Sequence, residues 1–218
     1  MNRKSKYKLI IFDLDGTLLD TFEGLYLAVI DTVKEYGLKE LPNEVYKTFI
    51  GPPIRRSFSK HYGLQGEKLD EVVETFRKYY KRDHLFIAKP YDGIFDVMQK
   101  LRDDGFDIAV ATFKIQVFAD MVLEKFGFMK YLTCVFGATS ELQNSKAEII
   151  GSAINKAGYK NEECLLIGDS DNDAKGARDA EIDFLAVKYG FGFKEEGELD
   201  LYPHIGEINT TNEIFFYL

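Results

Sequence analysis

Cysteine is scarce in this chain: Cys134 and Cys164 are the only two among 218 residues, and both sit inside apolar, strand-like runs. That density excludes a disulfide framework and predicts buried, reduced thiols. Positive charge is also short, with 28 Lys and Arg against 36 Asp and Glu and a formal net charge of −8. Such a balance argues against a nucleic-acid polymer or an acidic membrane as partner, because either needs a basic footprint. Long apolar runs are missing too. The basic start MNRKSKYK leads into only four apolar residues before Asp13, too few for a signal-peptide core or a membrane span. A cytoplasmic protein is the expectation. His61, His84 and His204 have neither metal-ligand spacing nor a nucleophile beside them, and no repeat or low-complexity segment is seen.

What is present is ordinary for a globular protein, at 45% hydrophobic and 29% charged residues. The length suits one large domain or one with a small insert, as a monomer or homodimer. The stretch that organises the rest is Leu9-Ile10-Ile11-Phe12 followed by Asp13-Leu14-Asp15-Gly16-Thr17. A short apolar run closed by a Gly-containing turn reads as a buried strand that presents acid at its carboxyl end. In open α/β sheets that end is where ligands bind.

Between residues 21 and 88 the periodicity is helical throughout. Phe22, Leu25, Tyr26, Val29, Ile30 and Val33 share a face before Gly37; Asn43 is read as capping a helix through Ile50; Gly51-Pro52-Pro53 breaks the chain; Ile54 to Tyr62 resumes; Val72, Val73, Phe76, Tyr79 and Tyr80 share another face. From Pro90 helices and strands alternate: helix 93–104, strand 107–111 ending at Thr112, helix 116–126, strand 132–136, helix 145–157, strand 164–167, helix 172–180 and a strand near 184–187. The tail after Gly190 reads as loop with short elements. Alternation of this kind predicts an α/β fold with a Rossmann-like parallel sheet, helices on both faces and right-handed crossovers. The expected division is a core of residues 1–20 and 89–218 with a small all-helical insertion over 21–88.

A second acidic run, Gly168-Asp169-Ser170-Asp171-Asn172-Asp173, stands at another strand end. Carboxylates converging on one crevice resist ionisation, and a divalent cation removes the conflict. Oxygen-only ligands that share coordination with a phosphate suit Mg²⁺. Thr112 and Lys146 fall at the ends of neighbouring strands, where a hydroxyl and an ammonium could neutralise phosphoryl oxygens.

DLDGT, the apolar strand closing on Thr112, Lys146 and GDSDND together resemble, in order, the four motifs of the haloacid dehalogenase superfamily. The insert after the first motif is similar to that family's helical cap, and the chain looks most like its phosphoglycolate phosphatase branch. The resemblance implies that Asp13 is a nucleophile forming an aspartyl-phosphate and that Asp15 is the acid that protonates the leaving oxygen and later activates water. It implies Mg²⁺ held by Asp13, the Asp15 carbonyl and Asp169, with Asp173 supporting the metal or Lys146. Thr112 and Lys146 match the phosphoryl-binding pair, and Gly16 and Thr17 are expected to bind substrate beside it. Phe113 and Ala147 depart from the family pattern, standing where a small polar residue and a proline are common.

The function this implies is a Mg²⁺-dependent phosphatase for a small phosphorylated metabolite. Asp15 speaks against a dehalogenase, since a halide leaves without a proton. A β-phosphoglucomutase-type phosphomutase, a nucleotidase, a pyrophosphatase, and a phospho-accepting regulatory module remain alternatives. Asp169, Asp171 and Asp173 imitate a calcium loop, but Ala174 and Ala180 stand where that loop needs Gly and Glu. Asp171 is read as a helix-start residue. Arg55 and Arg56, beside the rigid Gly51-Pro52-Pro53 turn, are read as a substrate-recognising pair or as solvated arginines. Lys114 is placed on a loop near the mouth.

Overall fold

The structure, a computed structural model, describes residues 5–49, 51–139 and 145–218. Its centre is β1 (Leu9–Phe12), every residue of which is buried. Next along the chain come β2 (Leu19–Asp20), α1 (Phe22–Glu35), α2 (Asn43–Lys47), α3 (Ile54–Tyr62), α4 (Gly66–Tyr79), a π-helical turn (Tyr80–His84) and β3 (Lys89–Pro90). The remainder is α5 (Ile94–Asp103), β4 (Asp107–Ile115), α6 (Gln116–Lys125), β5 (Cys134–Ala138), α7 (Lys146–Ala157), β6 (Cys164–Gly168), α8 (Asp171–Asp179), β7 (Asp183–Val187) and β8 (Gly206–Ile208).

Six strands form one parallel sheet in the order β5-β4-β1-β6-β7-β8. The chain winds outward on one side of β1 through β4 and β5, then returns to build the other side. The crevice at this reversal opens at the carboxyl ends of β1, β4 and β6, the position where doubly wound sheets bind ligands. Alternation along β1 divides the core into two layers. Ile10 and Phe12 pack with Ile94, Val97, Met98 and Leu101 of α5 and Val122 of α6. Leu9 and Ile11 pack with Ile149, Ile150 and Ala153 of α7 and Ala174 and Ala177 of α8. A strand covered on both faces has to be apolar throughout, which is why β1 reads as a continuous run.

The elements α1 to α4 contribute no strand to this sheet. They join it through β2 and β3, an antiparallel ribbon with Leu19 opposite Pro90 and Asp20 opposite Lys89. A chain of ring contacts runs from Tyr46 through Phe49, Phe58, Phe76 and Tyr80 to Phe118 on α6, with centroids 5.4–6.2 Å apart at each step. Aromatic pairs at these separations gain both area burial and edge-to-face attraction.

Three expectations need correction. The strand expected from 132 starts at Cys134, because Met129–Tyr131 makes a 3₁₀ turn first. The strand expected to end at Thr112 continues to Ile115, with an irregularity in its pairing to β5 between Ala111 and Ile115. The tail, read as loop with short elements, holds such elements, among them the three-residue β8 at the sheet edge. Pro42, not Asn43, holds the cap position of α2, and the expected end of that helix at Ile50 lies outside the described residues. Both cysteines are free thiols; Cys164 is buried and Cys134 half-buried.

Candidate active site

The carboxyl ends of β1 and β6 lie side by side. Phe12 is in register with Ile167, and the Asp13 N–H donates to the Ile167 carbonyl at 2.9 Å. The side chains that follow the two strands therefore share one crevice. Asp13, Asp169 and Asp173 are all buried, with one carboxylate oxygen from each within 4.8 Å of the other two.

Lys146, the first residue of α7, reaches into this cluster. Its Nζ donates to Asp13 Oδ1 at 2.7 Å and lies 2.6 Å from Asp173 Oδ1, an ion pair not aligned as a hydrogen bond. A capping box starts α7: Ser145 Oγ accepts from the Glu148 N–H, and Glu148 accepts from the Ser145 N–H. A second box starts α8, where Asp173 Oδ2 accepts from the Ser170 N–H at 3.0 Å and from Ser170 Oγ at 2.6 Å. Asp173 thus ends the first turn of a helix and holds the lysine at once. Asp171, at the helix start, pairs with Lys175 at 2.5 Å and stands outside the acidic cluster.

Asp169 Oδ2 accepts from the Phe191 N–H at 2.6 Å and from the Gly192 N–H at 3.2 Å, while Oδ1 is buried without a partner. Gly16 and Gly190 allow this close packing: a Cβ on either would fall 2.3 Å from an Asp169 side-chain atom. Gly16 also takes the left-handed φ of 85°. Thr17 is fully buried, and its carbonyl accepts from Tyr189 Oη at 3.2 Å. Gly16 packs against Asp169, and neither Gly16 nor Thr17, both expected to bind substrate, lines the inner cavity.

Burial is the main force that raises the Asp13 carboxyl, to about 7, against the pull of Lys146; the charges of Asp173 and Asp15 add to the rise. Burial and then the charges of Asp173 and Asp13 push Asp169 well above the usual range, against the two backbone donors. Burial works against the charge on Lys146, but Asp13 and Asp173 outweigh it and hold the ammonium above its ordinary value. Three carboxylates facing one ammonium leave two formal negative charges uncompensated. With only oxygen donors and an orphaned oxygen on Asp169, the set fits a hard divalent cation.

Thr112, also buried, adjoins this cluster in the cavity lining and accepts from the Lys114 N–H at 3.2 Å through Oγ1. Phe113 places its ring 5.6 Å from Lys146 Nζ. The continuation of β4 carries Lys114 inward, not onto a loop at the mouth. Its Nζ donates to both oxygens of Asp15 at 2.9 Å and lies 2.9 Å from Tyr80 Oη, which comes from the π-helical turn. Asp13, Asp15, Thr112, Lys146 and Asp173 line one inner cavity together with Arg77 and Tyr80. Arg55 engages Asp70, and Arg56 lines an outer groove that also borders Asp169. Of the arginines in the helical segment, it is Arg77 that reaches the inner cavity.

Sequence reasoning did not find Tyr80, Arg77, or the Phe191 and Gly192 backbone donors. Tyr80 and Arg77 sit on an amphipathic pattern indistinguishable from core and solvent faces, and a backbone N–H has no signature in side chains. Gly190-Phe191-Gly192 was the one available signal, a glycine pair suited to close approach.

A doubly wound sheet with acids at its switch point and a helical insert after the first strand defines a class of α/β enzyme. The profile of the haloacid dehalogenase-like hydrolases matches residues 10–187, and the chain belongs to that family. It is 33% identical over 194 residues to the 5'-nucleotidase of Pseudomonas aeruginosa, covering 88% of this chain and 87% of that protein. It is 31% identical to the pyrophosphatase PpaX of Halalkalibacterium halodurans, covering 83% of each. The phosphoglycolate phosphatase of Agrobacterium fabrum is also 31% identical, over 84% of this chain and 81% of that one. Among solved structures, a haloacid dehalogenase-like hydrolase of Streptococcus pneumoniae superimposes with a TM-score of 0.89 at 28% identity, covering 97% and 98% of the two chains.

Proposed function

We propose that this hydrolase is a magnesium-dependent phosphatase acting on a small phosphomonoester through an aspartyl-phosphate on Asp13, with residues 21–88 as a cap over the core of 1–20 and 89–218. The observation that carries this reading is the contact of Lys146 with Asp13 and Asp173 inside a buried cluster of three carboxylates. Lys146 occupies Oδ1 of Asp13 and orients the carboxylate, leaving Oδ2 to attack phosphorus. As the Oδ2–P bond forms, the ester P–O bond breaks and the leaving oxygen takes a proton from Asp15. Water then attacks the aspartyl-phosphate, Asp15 takes a proton from it, and inorganic phosphate departs with the Asp13 carboxylate restored. Thr112 and Lys146 place a hydroxyl and an ammonium against the phosphoryl oxygens.

Asp13, the Asp15 carbonyl, Asp169 and Asp173 would hold Mg²⁺, which supplies charge neutralisation for the phosphoryl group. Lys114 keeps Asp15 at the cavity wall until substrate enters. The similar proteins are named for three different leaving groups, a nucleoside, a phosphate and a glycolate, which supports a core that reads the transferred phosphoryl and a cap that reads the rest. Among the described residues no helix is long and apolar enough to cross a membrane.

The test is phosphate release from acetyl phosphate and methyl phosphate by the full chain, with Mg²⁺ and with excess chelator. Release is expected only with Mg²⁺, and Asp13→Asn is expected to abolish it, with no acid-stable phosphoprotein trapped on quenching. Substantial turnover by Asp13→Asn would refute the nucleophile. A phosphoprotein that persists for hours would favour a regulatory module, and transfer to a sugar without release a mutase.

A further inference from the structure

The leaving group can be narrowed from the apolar part of the inner cavity's wall. That wall is built from Leu25, Phe49, Ile54, Phe76, Ile115 and Phe118. Among the described lining residues, the polar side chains outside the phosphoryl-handling group and Ser170 are Arg77, Tyr80 and Lys114. Tyr80 Oη is engaged by Lys114, and Lys114 is engaged by both oxygens of Asp15. Arg77 has Glu74 at 3.7 Å. Among the described residues the lining includes no Asn, Gln, His or Glu.

A polyhydroxylated leaving group entering here would give up water at each hydroxyl and find few groups to replace it, a penalty that discriminates strongly between substrates. A ring or hydrocarbon body loses nothing by the same transfer and gains contact with the apolar wall. Phe76, Tyr80 and Phe118 already meet one another edge-to-face or stacked, so they offer an aromatic guest the same geometry. We infer that the substrates are phosphomonoesters whose alcohol part is an apolar, preferably aromatic, body with few or no hydroxyl groups. The inference rests on the phosphatase reading of this same cavity.

The experiment compares kcat/KM for benzyl phosphate, glucose 6-phosphate and methyl phosphate, all esters of primary alcohols, with the full chain in Mg²⁺. Benzyl phosphate is expected to exceed glucose 6-phosphate at least tenfold. Leu25→Gln, at a half-buried helical position, and Ile115→Thr, in a strand, each place a polar group in the wall and are expected to reduce that ratio at least threefold. A wild-type ratio below ten, with methyl phosphate still hydrolysed, overturns the inference and leaves the phosphatase standing. A ratio unmoved in both variants also overturns it, since the selectivity would arise elsewhere. No release from any of the three esters, nor from acetyl phosphate, overturns the phosphatase reading itself and this inference with it.

Discussion

Gly176 faces α7 at a point where an added Cβ would come within 2.4 Å of Lys146 Cγ and 2.7 Å of its Cβ. These are stem atoms near the backbone, so the lysine cannot evade the contact by turning its tip. The ammonium, fixed within 2.7 Å of two carboxylates, has no slack to absorb a shift of its stem. Gly176→Ala is therefore expected to lower kcat at least tenfold, because positioning errors of about 1 Å are expensive in catalysis. Alanine favours a helix interior over glycine by roughly 0.5–1 kcal/mol, whereas overpacking costs about 1–3 kcal/mol. A net loss of about 1 kcal/mol in urea unfolding is the companion expectation. Higher stability with unchanged kcat would show that α8 moves aside freely.

At the scale of elements, the ring chain from Tyr46 to Phe118 ties the helical segment to the core. Phe76 stands in its middle, stacked on Tyr80 and edge-on to Phe58, and it is almost completely buried. Phe76→Ala is expected to cost about 3–5 kcal/mol, read from the urea midpoint. Tyr80 would lose its stacking partner, so the hold on Lys114 should loosen in the same variant. Periodicity alone made these helices legible in the sequence, since apolar positions recur every three or four residues. Their packing was not legible: a phenylalanine facing its own helical layer and one facing a cavity follow the same spacing. Lys114 escaped for a different reason. Past a pairing irregularity after Ala111, β4 runs on to Ile115, beyond its apolar run, and an irregularity is set by the neighbouring strand.

For the molecule as a whole, the end of the sheet away from the crevice is held by Asp107. Its carboxylate accepts from Arg102 Nη1 at 2.6 Å, Tyr159 Oη at 2.7 Å and Thr133 Oγ1 at 2.9 Å. Burial alone would raise this carboxyl, but the bonds from Tyr159, Arg102 and Thr133 outweigh it and hold the group below its ordinary value. A carboxyl depressed in the folded state contributes stability above its unfolded value near ~3.9 and loses it as pH falls through the folded one. Asp107→Asn is thus expected to be less stable than wild type above about pH 5, with the gap closing on acidification below ~3.9. A gap in urea midpoint that stays constant from pH 7 to 3 would contradict this.

The acids at the crevice were legible because Asp13 directly follows a short apolar run and Asp169 follows another through Gly168, so strand end and chemistry stand close together in the sequence. Lys146 and Thr112 carried meaning only through their order along the chain. The supports from Phe191 and Gly192 left only their glycine pair as a trace, since they act through the backbone.

Those last supports have a consequence for how the protein comes into being. Asp13 lies near the start of the chain, while the amides that steady Asp169 belong to Phe191 and Gly192. A ribosome making this polypeptide finishes the first acid long before the clasp for the second. A nascent chain that has not passed Gly192 lacks that clasp, so phosphate release is expected only beyond this point in synthesis, and a cut before Phe191 is expected to erase it.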